Sequence, residues 1–565
     1  MLEWKYQYMN KNAEKKKQIN LFSHRNILCM ILLASFLIPL LTLSIFKAFY
    51  YDEGYLYYSY LETRGQHVFV DYSQMMQKPP GIIWILVPII YFFGHGFEAL
   101  LFARMFLILI VTLTVLIVYY IALKIFGNKK IALLSAFFFG ISPLISSIVG
   151  LIFTETPTVF FFSLAFLSYL SESKYKYYLS GILVGLSCLF RQTSIIFAAF
   201  FFLFILIYEN KKDTHSETNS FATFMSKLLS RGYWKDKSIK LTKYLFGILI
   251  GVSPLLFYII VTNSYEAFIR SVFIFNIYYT EILGEGSIIA KIWGMVNSFR
   301  FDSWLLLLLV GGLIFYVFIA FRNKNLKQNF KEFITKKKYQ VFLVFWLLIF
   351  LLYYTQSFAF QRHYLYEIMV PICIISAKVL NDIMEYLKQK KIQKMVIKYF
   401  FALLIIISLI ASIMYPLRLI TNNDYYIYQE FKKYNPDIIL TDKSQFLFLF
   451  GKTCDYYMLE PMEIPYERSG LANIFGIREI RNISAYVEKY QPDIIYLPNR
   501  NDNRALISFN TSNYTEFYIS DISPVEYREM LYLSIRKTIH SFLSKNETII
   551  PAKYYINNNL LKNNS

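Results

Sequence analysis

Two adjacent carboxylates, Asp52 and Glu53, follow directly after the first long apolar segment of the chain. A charged side chain costs about 2.5–3.5 kcal/mol at the centre of a membrane-spanning helix, and less towards the interface. Lys78 follows about a loop's length later and precedes Pro79 and Pro80. A carboxylate within hydrogen-bond reach can accept a proton from an incoming hydroxyl or amine. The pair is therefore predicted to do chemistry at a membrane surface, although it could also simply cap the amphipathic stretch that follows.

Three more charged side chains stand at the ends of later apolar segments: Glu155, Arg191 and Arg362. Cations stabilise the charge that develops on a leaving phosphate, so Lys78, Arg362 and Arg191 are candidates for binding an anion. Glu155 joins the first two carboxylates as a candidate proton acceptor. Each residue also has a structural interpretation, since Glu155 can stabilise the start of a helix and Lys78 can extend from the membrane to the interface.

The composition indicates that membrane-spanning helices must position these residues. Of the 565 residues, 56% are hydrophobic, whereas an ordinary soluble domain is about 45–50% apolar. The net charge of +20 comes largely from Lys and Arg between apolar runs, where basic residues set orientation in the bilayer, so nucleic-acid binding is not expected. The cysteines are too scattered to suggest disulfides or a CxxC metal site: Cys29, Cys188, Cys373 and Cys454.

About eleven apolar segments predict a polytopic α-helical protein. They lie near 27–49, 97–122, 131–150, 157–171, 179–190, 193–208, 244–262, 303–321, 340–354, 366–384 and 399–417. Lysine-rich loops alternate with lysine-poor ones, and the positive-inside tendency places the lysine-rich set and the amino terminus in the cytoplasm. The carboxy-terminal segment then lies outside, in a multi-pass protein of the plasma membrane.

One apolar segment, 79–94, is too short to count as a span and contains Pro88. Treating it as a span would move every later basic loop to the outside. It is therefore predicted to be an interfacial or re-entrant helix in the outer leaflet. This assignment places Asp52, Glu53, Lys78 and Glu155 together on the external face.

The composition changes after about residue 420, where two similar stretches, 433–440 and 489–496, each predict a helix end, a turn at proline and a buried strand. They indicate a small external α/β domain. Glycosylation sequons occur in this tail and fit that side of the membrane, although they could arise by chance: Asn482, Asn510, Asn513 and Asn546. The predicted organisation is a basic cytoplasmic terminus at 1–26, a transmembrane catalytic domain at 27–420 with its first external loop at 51–96, and the α/β domain at 421–565.

Several well-known catalytic motifs are absent from the chain. It contains no GxGxxG, Walker loop, HExxH, GxSxG or DxD sequence. A nucleotide-sugar donor is therefore disfavoured, and a lipid-linked donor that enters from the bilayer fits better.

At its polar residues the chain resembles the GT-C glycosyltransferases that use polyprenyl-phosphate sugars, a clan that includes protein O-mannosyltransferases and the lipid A aminoarabinose transferases. The resemblance covers roughly residues 25–420 and is carried by motifs that recur in the same order: Tyr51-Asp52-Glu53, Lys78-Pro79-Pro80 before a short helix ending at Phe93-Gly94, Arg104, Thr154-Glu155 with Pro157, and Arg362-His363-Tyr364 with Pro371. The chain departs from the family at Glu155, where many relatives have Asp, and at His363, which interrupts the usual Arg-Tyr pair.

This resemblance implies a GT-C fold and transfer of a sugar, with inversion, from a polyprenyl-phosphate donor to a lipid, glycan or protein acceptor. By the same resemblance, Asp52 is the base, Glu53 and Glu155 assist it or bind the acceptor, and the cations hold the donor phosphate. No metal ligands are assigned, because two adjacent carboxylates are compatible with Mg²⁺ or Mn²⁺ but do not demand either.

Two alternatives stay open. A lipid-linked oligosaccharide transferase would usually carry a WWD-like sequence in its external domain, which this chain lacks. A polytopic transporter should show polar residues at broken helices near the middle of the membrane, whereas here they gather at one face.

Overall fold

The computed structural model describes residues 23–41, 51–71, 78–208, 231–274, 276–277, 288–299, 302–322, 337–356, 362–389, 424–441, 444–452, 483–496, 513–518 and 553–558, with single residues at 403, 406, 410 and 561. Two predicted site residues are described in their backbone only. The side chains of Asp52 and Arg362 lie outside the described part of the structure.

The first part of the chain is helical. The helices are α1 (His24–Leu41), α2 (Tyr55–Thr63), α3 (Gly81–Phe93), α4 (Phe97–Phe126), α5 (Lys129–Gly140), α6 (Pro143–Ile148), α7 (Glu155–Tyr169), α8 (Lys176–Cys188), α9 (Ser194–Tyr208), α10 (Arg231–Val261), α11 (Tyr265–Ile269), α12 (Ile288–Ser298), α13 (Ser303–Arg322), α14 (Lys338–Gln356) and α15 (Tyr366–Gln389). Two 3-10 turns precede α2 and α15. They are Tyr51–Gly54, called the acidic turn below, and Arg362–Leu365.

The carboxy-terminal part adds α16 (Asp424–Tyr434), β1 (Ile439–Thr441), α17 (Ser444–Phe450), α18 (Ile483–Tyr490), β2 (Ile494–Tyr496), β3 (Tyr514–Tyr518) and β4 (Lys553–Asn557). The sheet order is β1-β2-β4-β3, with β1 and β2 parallel and the other two pairs antiparallel. The strands predicted after the two proline turns are thus present as the parallel pair. That these elements form a separate external domain stays a prediction.

Four of the described helical segments are long and apolar enough to cross a membrane: Phe97–Phe126, Lys129–Ser146, Lys237–Val261 and Lys338–Thr355. The bent pair Lys291–Ser298 and Ser303–Tyr316 would make a fifth if it forms one span. The predicted total of about eleven includes segments outside the described part of the structure and stays a prediction. The short helix α3 is present as expected, and its position at the interface stays a prediction.

The predicted span at 131–150 overlaps the candidate span Lys129–Ser146, but its helix is broken once within that segment. Its first helix, α5, ends at Gly140, and α6 begins at Pro143. Ser142 caps the new helix, since its hydroxyl accepts a hydrogen bond from the backbone N–H of Ile145. The hydropathy of the whole stretch predicts one continuous span. The N-cap followed by proline instead starts a new helix within it.

Glycines hold α8 tightly against α10. Gly181 and Gly185 on α8 face Gly247 and Gly251 on α10, in two GxxxG patterns. A Cβ atom on Gly181 would lie 2.1 Å from the carbonyl oxygen of Tyr244, so no larger residue fits without a backbone shift. This crossing fixes the helix that leads into Arg191.

The start of α3 is held against the end of α8. The backbone N–H of Gly81 donates to the carbonyl of Leu189 at 2.7 Å. A Cβ atom on Gly81 would lie 2.5 Å from that same oxygen. This close approach brings Lys78, which lies just before α3, next to Arg191, which lies just after α8.

Candidate active site

The acidic turn is anchored to α4 by a buried ion pair. Arg104 donates from Nε to Glu53 Oε1 at 2.7 Å and from Nη2 to Glu53 Oε2 at 2.6 Å. Both side chains are completely buried. A two-pronged pair of this kind is strong and strongly directional. It fixes the backbone of the turn that also carries Asp52.

A second buried carboxylate, Glu155 at the start of α7, lies next to three basic side chains. Arg191 donates a short hydrogen bond from Nη1 to Glu155 Oε1. The Nζ atom of Lys78 lies 4.0 Å from the same oxygen, and the Nε2 atom of His363 lies 3.5 Å from it. The structure therefore brings together three residues that the sequence singled out separately: Lys78, Glu155 and Arg191.

Lys78 also connects this cluster to the acidic turn. Its Nζ atom lies 5.9 Å from the ring centroid of Tyr55, the residue that follows the turn. The side chain is only 11% exposed. Lys78 thus packs within this cluster rather than extending into solvent.

Sequence reasoning missed Glu367, a third buried carboxylate, in the first turn of α15. Its Oε1 atom lies 3.4 Å from Nη1 of Arg191 and accepts a hydrogen bond from Thr193 Oγ1 at 2.9 Å. Its Oε2 atom accepts a hydrogen bond from the hydroxyl of Tyr354. A lone acid at the start of an apolar segment is the same signal that drew attention to Glu155, and it could have identified Glu367.

The guanidinium of Arg191 is nearly buried, yet only one of its nitrogens has a protein acceptor in the described part of the chain. Glu155 and Glu367 both contact Nη1. The ring centroid of Tyr364 lies 4.3 Å from Cζ and covers one face of the guanidinium. Among the described residues, Nε and Nη2 have no acceptor. These two nitrogens form one edge of the guanidinium, and that edge matches a phosphate or carboxylate.

His363, which interrupts the usual Arg-Tyr pair of the family, is a buried neighbour of this cluster. It is 4% exposed, and its ring stacks on Phe153 with centroids 4.6 Å apart. Its neighbour Arg362 begins the 3-10 turn before α15, with its side chain outside the described part. Within the described residues, no group of three His, Cys, Asp or Glu side chains is arranged to hold a metal ion.

Comparison with known proteins finds a family match for part of the chain and a solved structure with a similar fold. Residues 77–230, which include Lys78, Glu155 and Arg191, match the family model of dolichyl-phosphate-mannose-protein mannosyltransferase. The fold is similar to that of ArnT from Cupriavidus metallidurans bound to undecaprenyl phosphate, with a TM-score of 0.54, 11% identity, and coverage of 83% of this chain and 92% of ArnT. The apo form of ArnT matches with the same TM-score and coverage at 12% identity.

A more distant similarity links the chain to the oligosaccharyltransferase AglB from Archaeoglobus fulgidus. The identity is 11%, and the match covers 85% of this chain and 70% of AglB. Its TM-score of 0.47 is too low to support a conclusion. A comparison with curated protein sequences finds no match.

The fold and the family match define the chain as a membrane glycosyltransferase. The match over residues 77–230 and the ArnT-like fold support the GT-C resemblance that its sequence motifs indicate.

Proposed function

We propose that this protein transfers a sugar from a polyprenyl-phosphate donor to an acceptor at the extracytoplasmic face of a membrane, with inversion at the sugar's anomeric carbon. One observation carries the proposal. The Nε–Nη2 edge of Arg191, in a nearly buried guanidinium, has no acceptor among the described residues, and Lys78 lies beside the same carboxylate. Such an edge beside an ammonium group suits a phosphate.

The charges in the cluster suit a leaving phosphate. A sugar linked to a polyprenyl phosphate is a phosphodiester, and transfer releases a phosphomonoester that carries additional negative charge. Lys78 and Arg191 would stabilise that charge as it develops, with Glu155 holding both cations in place. The undecaprenyl phosphate named in the ArnT complex supports this donor class. Arg362, which begins the turn next to His363, would add a third cation.

Asp52 is the proposed base. Its carboxylate would take the proton from the acceptor's hydroxyl or amine, whose lone pair then forms the new bond to the anomeric carbon. The bond between that carbon and the phosphate oxygen breaks at the same time, and the phosphate keeps the electron pair. Both oxygens of Glu53 accept hydrogen bonds from Arg104. Glu53 therefore supports this step by holding the acidic turn in place.

The proposal also includes the orientation of the protein, its membrane and the class of its acceptor. The amino terminus is cytoplasmic, and the protein lies in the plasma membrane. The acceptor is a lipid, a glycan or a protein. The carboxy-terminal helix α17 packs against α2 and the acidic turn, and this contact supports the proposal that the carboxy-terminal elements lie on the catalytic side.

The test is the transfer of radiolabelled sugar from a polyprenyl-phosphate donor by purified protein in lipid. Asp52→Asn should lower the rate at least ~100-fold, because general base catalysis contributes about 10²–10⁴. The matched control is Glu98→Gln, which changes an exposed acid at the start of α4 and should leave the rate unchanged. A wild-type rate in folded Asp52→Asn protein would refute the proposal. Uptake of labelled substrate into vesicles without any labelled acceptor would favour the transporter instead.

A further inference from the structure

Glu367 contacts the proposed phosphate-binding arginine from the side opposite Glu155. We propose that Glu367 is a positioning residue, which holds Arg191 so that its Nε–Nη2 edge faces the donor phosphate. This inference rests on the proposed function, and it assigns a role to α15 in donor binding.

Arg191 is held by two carboxylates at the same nitrogen atom. Its Nη1 atom contacts one carboxylate on α7 and a second on α15, and the Tyr364 ring covers one face. Two carboxylates at a single nitrogen are an unusual use of a guanidinium, which normally pairs with one carboxylate through two parallel hydrogen bonds. The shared contact leaves the Nε–Nη2 edge for another anion.

Glu367 is itself held rigidly by hydrogen bonds to both of its carboxylate oxygens. Thr193 donates to one carboxylate oxygen at 2.9 Å, and Tyr354 on α14 donates to the other. The Tyr354 hydroxyl, whose single proton goes to one acceptor at a time, also lies 2.8 Å from the carbonyl oxygen of Tyr364, and Trp346 donates to the backbone carbonyl of Glu367 at 3.0 Å. Glu367 is fully buried. A side chain fixed in this way can fix the side chain that it contacts.

Without the Glu367 carboxylate, Arg191 would pair differently. Glu155 would then be its sole carboxylate partner among the described residues. A guanidinium prefers to donate two parallel hydrogen bonds to one carboxylate. Arg191 would therefore rotate until its Nε–Nη2 edge, or its Nη1–Nη2 end, donates to both oxygens of Glu155. Either rotation withdraws donors from the donor phosphate. Glu367 therefore prevents Arg191 from pairing entirely with Glu155.

The experiment measures binding of undecaprenyl phosphate to the purified full-length protein, together with the donor KM and kcat. Glu367→Gln keeps the side-chain shape and removes the charge. We expect its affinity for undecaprenyl phosphate to fall roughly 10- to 100-fold, the effect of losing about one charge-assisted hydrogen bond, and donor KM to rise in parallel. Ser376→Ala is the matched control on α15, because Ser376 is buried and its hydroxyl has no hydrogen-bond partner in the described structure. It should bind normally.

A double-mutant cycle separates positioning from a general structural effect. In an Arg191→Met background, Glu367→Gln should cause no further loss of affinity, since the residue acts through Arg191. An equal additional loss there would overturn the inference. If Glu367→Gln does not fold, Tyr354→Phe retains the charge and removes one hydrogen bond, and it should weaken binding several-fold in the same direction. Unchanged affinity in folded Tyr354→Phe would then count against the inference.

The two proposals can fail separately. If Arg191→Met weakens binding and folded Glu367→Gln does not, the positioning role is wrong and the phosphate site stands. If Arg191→Met itself binds undecaprenyl phosphate as wild type does, the phosphate site is wrong, and the inference built on it is overturned too.

Discussion

The Glu53–Arg104 pair permits a quantitative test of how the acidic turn is held. Glu53→Gln would remove the negative charge that pairs with the fully buried Arg104 guanidinium. Removing one partner of a buried ion pair typically costs about 3–5 kcal/mol, because the remaining charge stays out of water. The double variant Glu53→Gln with Arg104→Met removes both charges. It should recover most of that loss, since replacing a whole buried pair by uncharged groups of similar shape is often close to neutral.

Unfolding in mixed detergent micelles would measure these free energies, and the transfer assay on the same samples would separate stability from catalysis. If Glu53 acts only by holding the turn, the double variant should regain stability and a substantial part of the activity. A stable double variant with no activity would instead support a catalytic role for Glu53. A free energy of unfolding for Glu53→Gln within about 1 kcal/mol of wild type would contradict the electrostatic argument, because that is the range of a solvent-exposed pair.

Two further predictions concern the packing of the helices and the carboxy-terminal contact. Gly185→Leu should destabilise the α8–α10 crossing by about 3 kcal/mol or more in the same unfolding assay, since a Cβ atom there would lie 2.4 Å from a backbone carbonyl. The control is Gly311→Ala, at a helical glycine with open space around it. It should be neutral or stabilising. His95, between α3 and α4, touches Gly451 just after α17, and burial together with the positive charges of Arg64 and Lys452 lowers its pKa below the ordinary 6.5. The unfolded chain then binds the proton more readily, so this contribution to stability is present above about pH 6.5 and is lost as pH falls from there towards the folded pKa. Proteolysis of the α17 region should accelerate over that range in wild type and lose this pH dependence in His95→Gln; equal acid sensitivity of the two proteins would contradict the assignment.

Several local features of the fold could be predicted from the sequence. The short helix α3 follows from an apolar run that contains Pro88 and ends at Gly94, whose φ of 71° suits glycine. The two helix–turn–strand repeats of the tail follow from their proline turns and apolar runs. The break between α5 and α6 was not predicted, although Ser142 followed by Pro143 is a helix-start signal. The long apolar stretch around these two residues favours one continuous helix and hides that signal in the sequence.

The sequence by itself indicated a polytopic membrane protein, the resemblance to GT-C glycosyltransferases, and Lys78, Glu155 and Arg191 as candidate site residues. Charged residues beside apolar segments are conspicuous without any structure, because burying them near hydrocarbon is costly. Only the tertiary structure decided how the charges are paired. Glu53 pairs with Arg104, 51 residues away, and Arg191 with both Glu155 and Glu367. A carboxylate looks the same in a sequence whether its partner is a neighbouring turn or a distant helix. Burial and hydrogen-bond geometry, which decide whether it anchors a turn or orients an arginine, are set by how the helices pack.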